Sequence, residues 1–227
     1  MSAKATRELM FFFDVDNTLL DNDRAKADME AQLTEVLGDK GSKRFWELYE
    51  EVRKEGGVVS YPKTIARFEE EWPDKVAAYH AANIVNGLPY EEYLFPGTVA
   101  ALSHVSGMGD VVVLSDGDPE YQPRKIARAG LSRIVGFKDV LVFVDKQEQL
   151  LGLMQQLPAR HYVLVDDKES ILANAKTIMG EKLTTVWVQQ GHYAHDPKFY
   201  REPAPDITLA SIADMSRLRK SDFLREG

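Results

Sequence analysis

The 227-residue chain has no cysteine, which excludes disulfide stapling and thiol chemistry without fixing the compartment. Long apolar runs are also missing. The N-terminal apolar segment, residues 9–13, is too short for a signal peptide or a membrane span and runs straight into an aspartate. We therefore expect a cytoplasmic protein with no membrane partner. Positive charge is in the minority, 28 Lys and Arg against 36 Asp and Glu, for a formal net charge of −8. No basic run offsets that balance, which argues against nucleic-acid binding. Nothing in the composition suggests disorder. A hydrophobic content of 44% is ordinary for a globular enzyme, and the length suits one large domain or a core with an insertion.

What the chain does have is acid at the ends of apolar runs. Residues 11–20 read FFFDVDNTLL: three phenylalanines, then Asp14, Asp16, Asn17 and Thr18. This looks like a buried strand delivering a nucleophile at its carboxyl end. Burying even a neutral polar group without a partner costs roughly 2–7 kcal/mol, so paired carboxylates there call for pairing, hydrogen bonding or a metal. The plain alternative, an acidic turn capping a helix, requires only one such side chain. Residues 111–118, VVVLSDGD, form a second apolar run ending in Ser115 and Asp116, which an ordinary Asp-Gly turn would also explain. A third run at 140–144 precedes Lys146 and a helical pattern of Leu150, Leu151, Met154 and Leu157. In residues 161–170, HYVLVDDKES, a fourth run ends in Asp166 and Asp167. Four acids that converge could not all stay ionised without compensation, and Mg²⁺, a hard ion with oxygen ligands, is the natural partner. Otherwise the last two would simply cap the helix beginning near Glu169.

The pattern Asp14, Val15, Asp16, Asn17, Thr18, followed in order by Ser115, Lys146 and Asp166, resembles the phosphatase branch of the haloacid dehalogenase superfamily. The resemblance covers residues 10 to about 190. It implies Asp14 as nucleophile and Asp16 as general acid and base. It also implies Mg²⁺ held by Asp14, the Asp16 carbonyl and Asp166, with Asp167 in support. Thr18, Ser115 and Lys146 would bind phosphate. Asp116, where relatives often carry Asn, is grouped with them. Lys125 and Lys168 compete for the lysine role, Lys125 lying farther from any strand end. A dehalogenase displaces halide, which needs no proton, so Asp16 favours phosphoryl transfer. A phosphomutase uses much the same residues, and a noncatalytic module on this fold should have lost at least one of them. The expected partner is a small phosphorylated metabolite.

Strand-like runs at 10–14, 111–115, 140–144, 162–165 and 184–188 alternate with helical patterns, which predicts an α/β fold with a doubly wound parallel sheet. A last strand at 207–209, a helix from Ser211 and a frayed tail, KSDFLREG, would complete it. Between the first two motifs the apolar spacing is helical. Met29, Leu33, Val36 and Leu37 form one stripe, Phe45, Leu48, Tyr49 and Val52 a second, and Ile65, Phe68 and Trp72 a third. We expect residues 21–92 to be an inserted helical cap and residues 1–20 with 93–227 to be the catalytic core, hinged at 21–24 and 88–97. Arg24, Tyr61, Lys63, Arg67, His80 and Asn83 are polar cap residues that could face the site. His192 and His195 lie in QQGHYAHD without the accompanying ligands of a zinc site, and a loop over the catalytic edge is the expectation there.

Overall fold

The computed structural model describes residues 7–224. Among them six strands form one parallel sheet: β1 (Arg7–Phe13), β2 (Asp110–Asp116), β3 (Val140–Phe143), β4 (Ala159–Asp166), β5 (Leu183–Val188) and β6 (Ile207–Leu209). Their spatial order is β3-β2-β1-β4-β5-β6. The predicted α/β fold is therefore the observed one, with β1 central. Phe13 pairs with both Val113 and Val165, so β1 and β4 finish within a residue of each other while β2 runs on to Asp116 beside them. The chain order reverses between β1 and β4, the place where an open α/β sheet leaves a crevice at its strand ends.

Strand β1 is apolar from Leu9 to Phe13 because both faces are covered there. Phe11 and Phe13 face one core cluster, and Met10 and Phe12 face the other. On the first side lie α4 (Thr98–Ser106), α5 (Tyr121–Arg128) and α6 (Leu131–Val135); on the second lie α7 (Leu150–Gln156) and α8 (Glu169–Met179). Strand β1 begins at Arg7, three residues before the apolar run alone would start it, because Arg7 still pairs with Ala159.

Between β1 and α4 the chain forms three helices, α1 (Asn22–Gly56), α2 (Tyr61–Glu71) and α3 (Lys75–Gly87), which pack on one another. Helix α1 is broken at Gly38, whose φ of 65° is not helical. The three predicted stripes supply this core, with one exception: Val36 is exposed, because the buried line runs at four-residue spacing through Ala25, Met29, Leu33 and Leu37 and Val36 falls beside it. The entry and return of this excursion are joined, Asp21 N–H donating to the Tyr93 carbonyl at 2.8 Å and Phe95 N–H to the Leu19 carbonyl at 3.0 Å.

Two C-terminal expectations are corrected. The helix predicted from Ser211 is a 3-10 helix at Ile212–Arg217, with Ser211 and Asp214 forming a reciprocal cap. Part of the supposed frayed tail is α9 (Lys220–Phe223), while residues 225–227 lie outside the described residues. Its anchor is Phe223, fully buried with its ring edge-on to Phe11 at 5.1 Å. Two adjacent apolar residues, Phe223 and Leu224, in a charged octapeptide give no period, so only tertiary packing shows the anchor. We expect Phe223→Leu, which removes three carbons from a fully buried site, to cost about 1–2 kcal/mol in urea unfolding. A loss near zero would mean that α9 does not contribute to the core.

Candidate active site

Asp14 leaves β1 with its backbone N–H on the Val165 carbonyl at 3.0 Å, and the chain turns at once. Asn17 takes a left-handed φ of 64°, tolerable for an asparagine, and its N–H reaches the Leu20 carbonyl at 2.7 Å. The Asn17 side chain accepts from the backbone of Asn22 and Asp23 and donates to the Asp23 carboxylate, fastening this turn to the start of α1. Gly191 packs directly on Asn17. Its φ is 67°, and any side chain there would collide with Asn17.

Three carboxylates meet in this turn. Oxygens of Asp14, Asp166 and Asp167, all buried, lie within 4.8 Å of one another. Lys146, 1% exposed, bridges the first two, its Nζ lying 2.5 Å from Asp14 Oδ1 and 2.7 Å from Asp166 Oδ2. Burial alone would lower that lysine, but the charges of Asp14, Asp166 and Asp116 hold it well above its usual value. Burial pushes Asp14 up to about 7 against the pull of Lys146. Asp167 is raised to about 9, first by burial and then by the charges of Asp166 and Asp14. Buried acids held this far from their ordinary range are the mark of a group arranged for chemistry or for a cation.

A divalent cation fits here. The Asp167 Oδ2 atom is buried without a hydrogen-bond partner, and the surrounding donors are hard oxygens. Asp167 does not cap α8, whose first turn takes no side-chain cap. Asp166 instead accepts from Lys168 N–H at 2.9 Å. Among the described residues neither His192 nor His195 joins a metal-type cluster. The His192 Nδ1 lies 2.6 Å from Asp23 Oδ1, so the 189–196 loop is tied to the first turn of α1.

The candidate phosphate contacts divide. Thr18 is buried, its hydroxyl without a partner. The Ser115 hydroxyl, also buried, donates to the Asp116 carbonyl at 3.2 Å and accepts from Gln122 Nε2 at 2.9 Å. The Asp116 carboxylate accepts from Lys146 N–H at 2.6 Å. It therefore shapes the turn that presents Lys146.

Asp16 contributes no side-chain oxygen to the carboxylate cluster. Lys125 Nζ lies 2.5 Å from its Oδ1 and Gln122 Nε2 3.2 Å from its Oδ2. Lys125 thus reaches the site despite its distance from any strand end, and Gln122 and Asn22 join it there unannounced. The signal was present in α5, where Tyr121, Gln122, Lys125 and Ile126 form the buried stripe and two of the four are polar. Lys168 sits over the Tyr193 ring at 3.9 Å instead of on a carboxylate of the site. Of the polar cap residues, Arg67 pairs with Glu55, Arg24 covers the Tyr93 ring, and His80, Asn83 and Lys63 are exposed. Tyr61 is the one that turns toward the core, its ring 4.7 Å from that of Tyr121.

A parallel sheet whose middle strands converge on carboxylates, a buried lysine and buried hydroxyls defines an α/β enzyme with its chemistry at the strand ends. A sequence model of haloacid dehalogenase-like hydrolases matches residues 10–175, and the chain belongs to that family. Among solved structures it is similar to a protein of Burkholderia xenovorans LB400 solved as a haloacid dehalogenase-like hydrolase, at 40% identity and a TM-score of 0.85 over 95% of this chain and 98% of that one. The fold also matches a 2-haloacid dehalogenase from Pseudomonas syringae pv. tomato DC3000, at 16% identity and TM-score 0.64 over 92% and 97% of the two chains. It matches a phosphatase of the family from Thermococcus onnurineus as well, at 18% identity and TM-score 0.58 over 92% and 96%. No curated protein matches the chain. Among the described residues no helix is long and apolar enough to cross a membrane.

Proposed function

We propose that the protein is a Mg²⁺-dependent phosphatase that hydrolyses a small organic phosphate monoester through a phosphorylated Asp14. The observation that carries this reading is Asp16. It is a second carboxylate, one-third exposed at its side chain and held by Lys125 and Gln122, two residues from the nucleophile. A departing alkoxide needs a proton and a departing halide does not, so this carboxylate has work to do only in phosphoryl transfer.

In the first step an Asp14 oxygen bonds to phosphorus. The bond from phosphorus to the leaving oxygen breaks, and that oxygen takes the Asp16 proton. In the second, water gives a proton to Asp16 as its oxygen bonds to phosphorus, and the bond to Asp14 breaks, releasing phosphate. Acid and base help of this kind is worth about 10²–10⁴ in rate. Thr18 and Ser115 offer hydroxyl donors and Lys146 a charge to the equatorial oxygens. Asp14, Asp166 and the Asp16 carbonyl would hold Mg²⁺, with Asp167 beside them, and the ion would offset repulsion between two anionic reactants. Helices α1–α3 serve in this reading as a cap over the carboxylate edge.

The test is release of inorganic phosphate from 4-nitrophenyl phosphate, with Mg²⁺ and with chelator, beside release of chloride from 2-chloropropionate. We expect phosphate release that chelator abolishes and no chloride. Chloride release that is indifferent to chelator would place the chain among dehalogenases instead.

A further inference from the structure

Each aspartate of the Asp14–Asp16 pair has its own lysine. Lys146 belongs to the nucleophile; Lys125 belongs to Asp16. The second pairing is unusual in its reach. Lys125 is 5% exposed on α5, and its Nζ also lies 2.6 Å from Asn22 Oδ1, at the first residue of α1. Below it the Tyr90 ring lies 5.4 Å away, and the Tyr90 hydroxyl is 2.5 Å from that of Tyr121, one helical turn before Lys125. Gln122 completes the hold. Its amide donates to Asp16 Oδ2 and to Ser115 Oγ, so one side chain spaces the acid from the phosphate-binding hydroxyl. Asp16 is thus gripped at both oxygens by one face of one short helix.

We propose that Lys125, assisted by Gln122, is a positioning residue that sets the Asp16 carboxylate where the leaving oxygen departs and ties that placement to the cap through Asn22. The proposal rests on the phosphatase reading. The need is physical: a misplacement of about 1 Å at a reacting group can cost about 10²-fold in rate. A carboxylate on a turn has two free torsions, and both grips remove that freedom. Each carboxylate oxygen has two lone-pair directions, so a grip on one leaves the other for the leaving group or water.

The readout is the dependence of kcat/KM on the leaving group. Wild type, Lys125→Met and Gln122→Met are compared, with Mg²⁺, on 4-nitrophenyl, phenyl and 4-methoxyphenyl phosphates. Nitrophenolate leaves without a proton and the other two profit from one. We expect Lys125→Met to keep kcat/KM on 4-nitrophenyl phosphate within about threefold, since that ratio reports the step in which the phenolate leaves, and to lose about 10²-fold in kcat/KM on phenyl phosphate, steepening the leaving-group dependence. Asp16→Asn should show the same steep slope, and adding it to Lys125→Met should cost little more, since both disable one function. Gln122→Met, isosteric and uncharged, should steepen the slope by less, and it carries the test if Lys125→Met fails to fold. An equal loss on all three esters in the folded variants, with the wild-type slope, would overturn the proposal and leave Lys125 a packing residue. Wild-type protein inactive on every ester would overturn the phosphatase reading first, a result distinguishable because no variant is needed to see it.

Discussion

Asp14→Asn is expected to reduce Mg²⁺-dependent phosphate release by about 10⁴-fold or more, because the amide cannot form the covalent intermediate. The assay is the same phosphate release from 4-nitrophenyl phosphate. Residual turnover within about tenfold of wild type would remove Asp14 from the nucleophile's place and favour direct attack by water. The same variant has a stability signature. Burial raises the Asp14 carboxyl to about 7, so its folded value lies above the ordinary 3.8. A raised acid favours the folded state while protonated; that contribution is complete below 3.8 and is lost as pH climbs through about 7. Asp167, raised to about 9, extends the loss to higher pH. In chelator, wild-type protein should therefore melt lower at pH 8 than at pH 5. Asp14→Asn should flatten the lower part of that decline, and Mg²⁺ should oppose it in wild type by binding the ionised cluster. A melting temperature that rose with pH in chelator would contradict the assignment.

Lys146→Met carries the largest expected stability effect. The lysine is the charge that lets Asp14 and Asp166 lie together, and its side chain is 1% exposed. Breaking a buried pair by removing one partner costs about 3–5 kcal/mol, because the remaining charge is uncompensated. Here two carboxylates are stranded. We expect that loss in urea unfolding with chelator present, partial recovery with millimolar Mg²⁺, and a fall of about 10²–10³-fold in phosphate release even when folded. Lys125→Met should lose far less stability than Lys146→Met, since Asp16 is one-third exposed and water can take over. A Lys146→Met variant as stable as wild type in chelator would show that the carboxylates relieve their repulsion without it.

The four strand-end motifs were legible because each is local: an apolar run, then abrupt polarity within two or three residues. A buried parallel strand reads as a continuous hydrophobic stretch, and an acid at its end has no structural reason to be there. From those runs the sheet, the site edge and the cluster of Asp14, Lys146, Asp166 and Asp167 could be anticipated. The helical stripes at Met29, Leu33, Phe45 and Phe68 were legible by period, and Val36 misled because it lies beside the four-residue line of Ala25, Met29, Leu33 and Leu37 that packs inward.

What the chain kept back depends on which helix face packs inward far along the sequence. Lys125 is 109 residues from Asp16, and nothing local says that the α5 stripe carrying it faces the site. Asp116 stands beside Ser115 in the chain, but that its carboxylate meets Lys146 N–H is decided by the turn after β3. His192 offered two nitrogens to any partner, and only the packing of Gly191 on Asn17 brought Asp23 to meet it. Phe223 is a single buried ring in a charged segment, invisible to any period. Thus sequence by itself determined the α/β fold, the strand-end acids and the family, because apolar periodicity and strand-end polarity are encoded within a few residues. Tertiary structure alone decided which charges pair, because a charge's partner is set by the packing of elements a hundred residues apart.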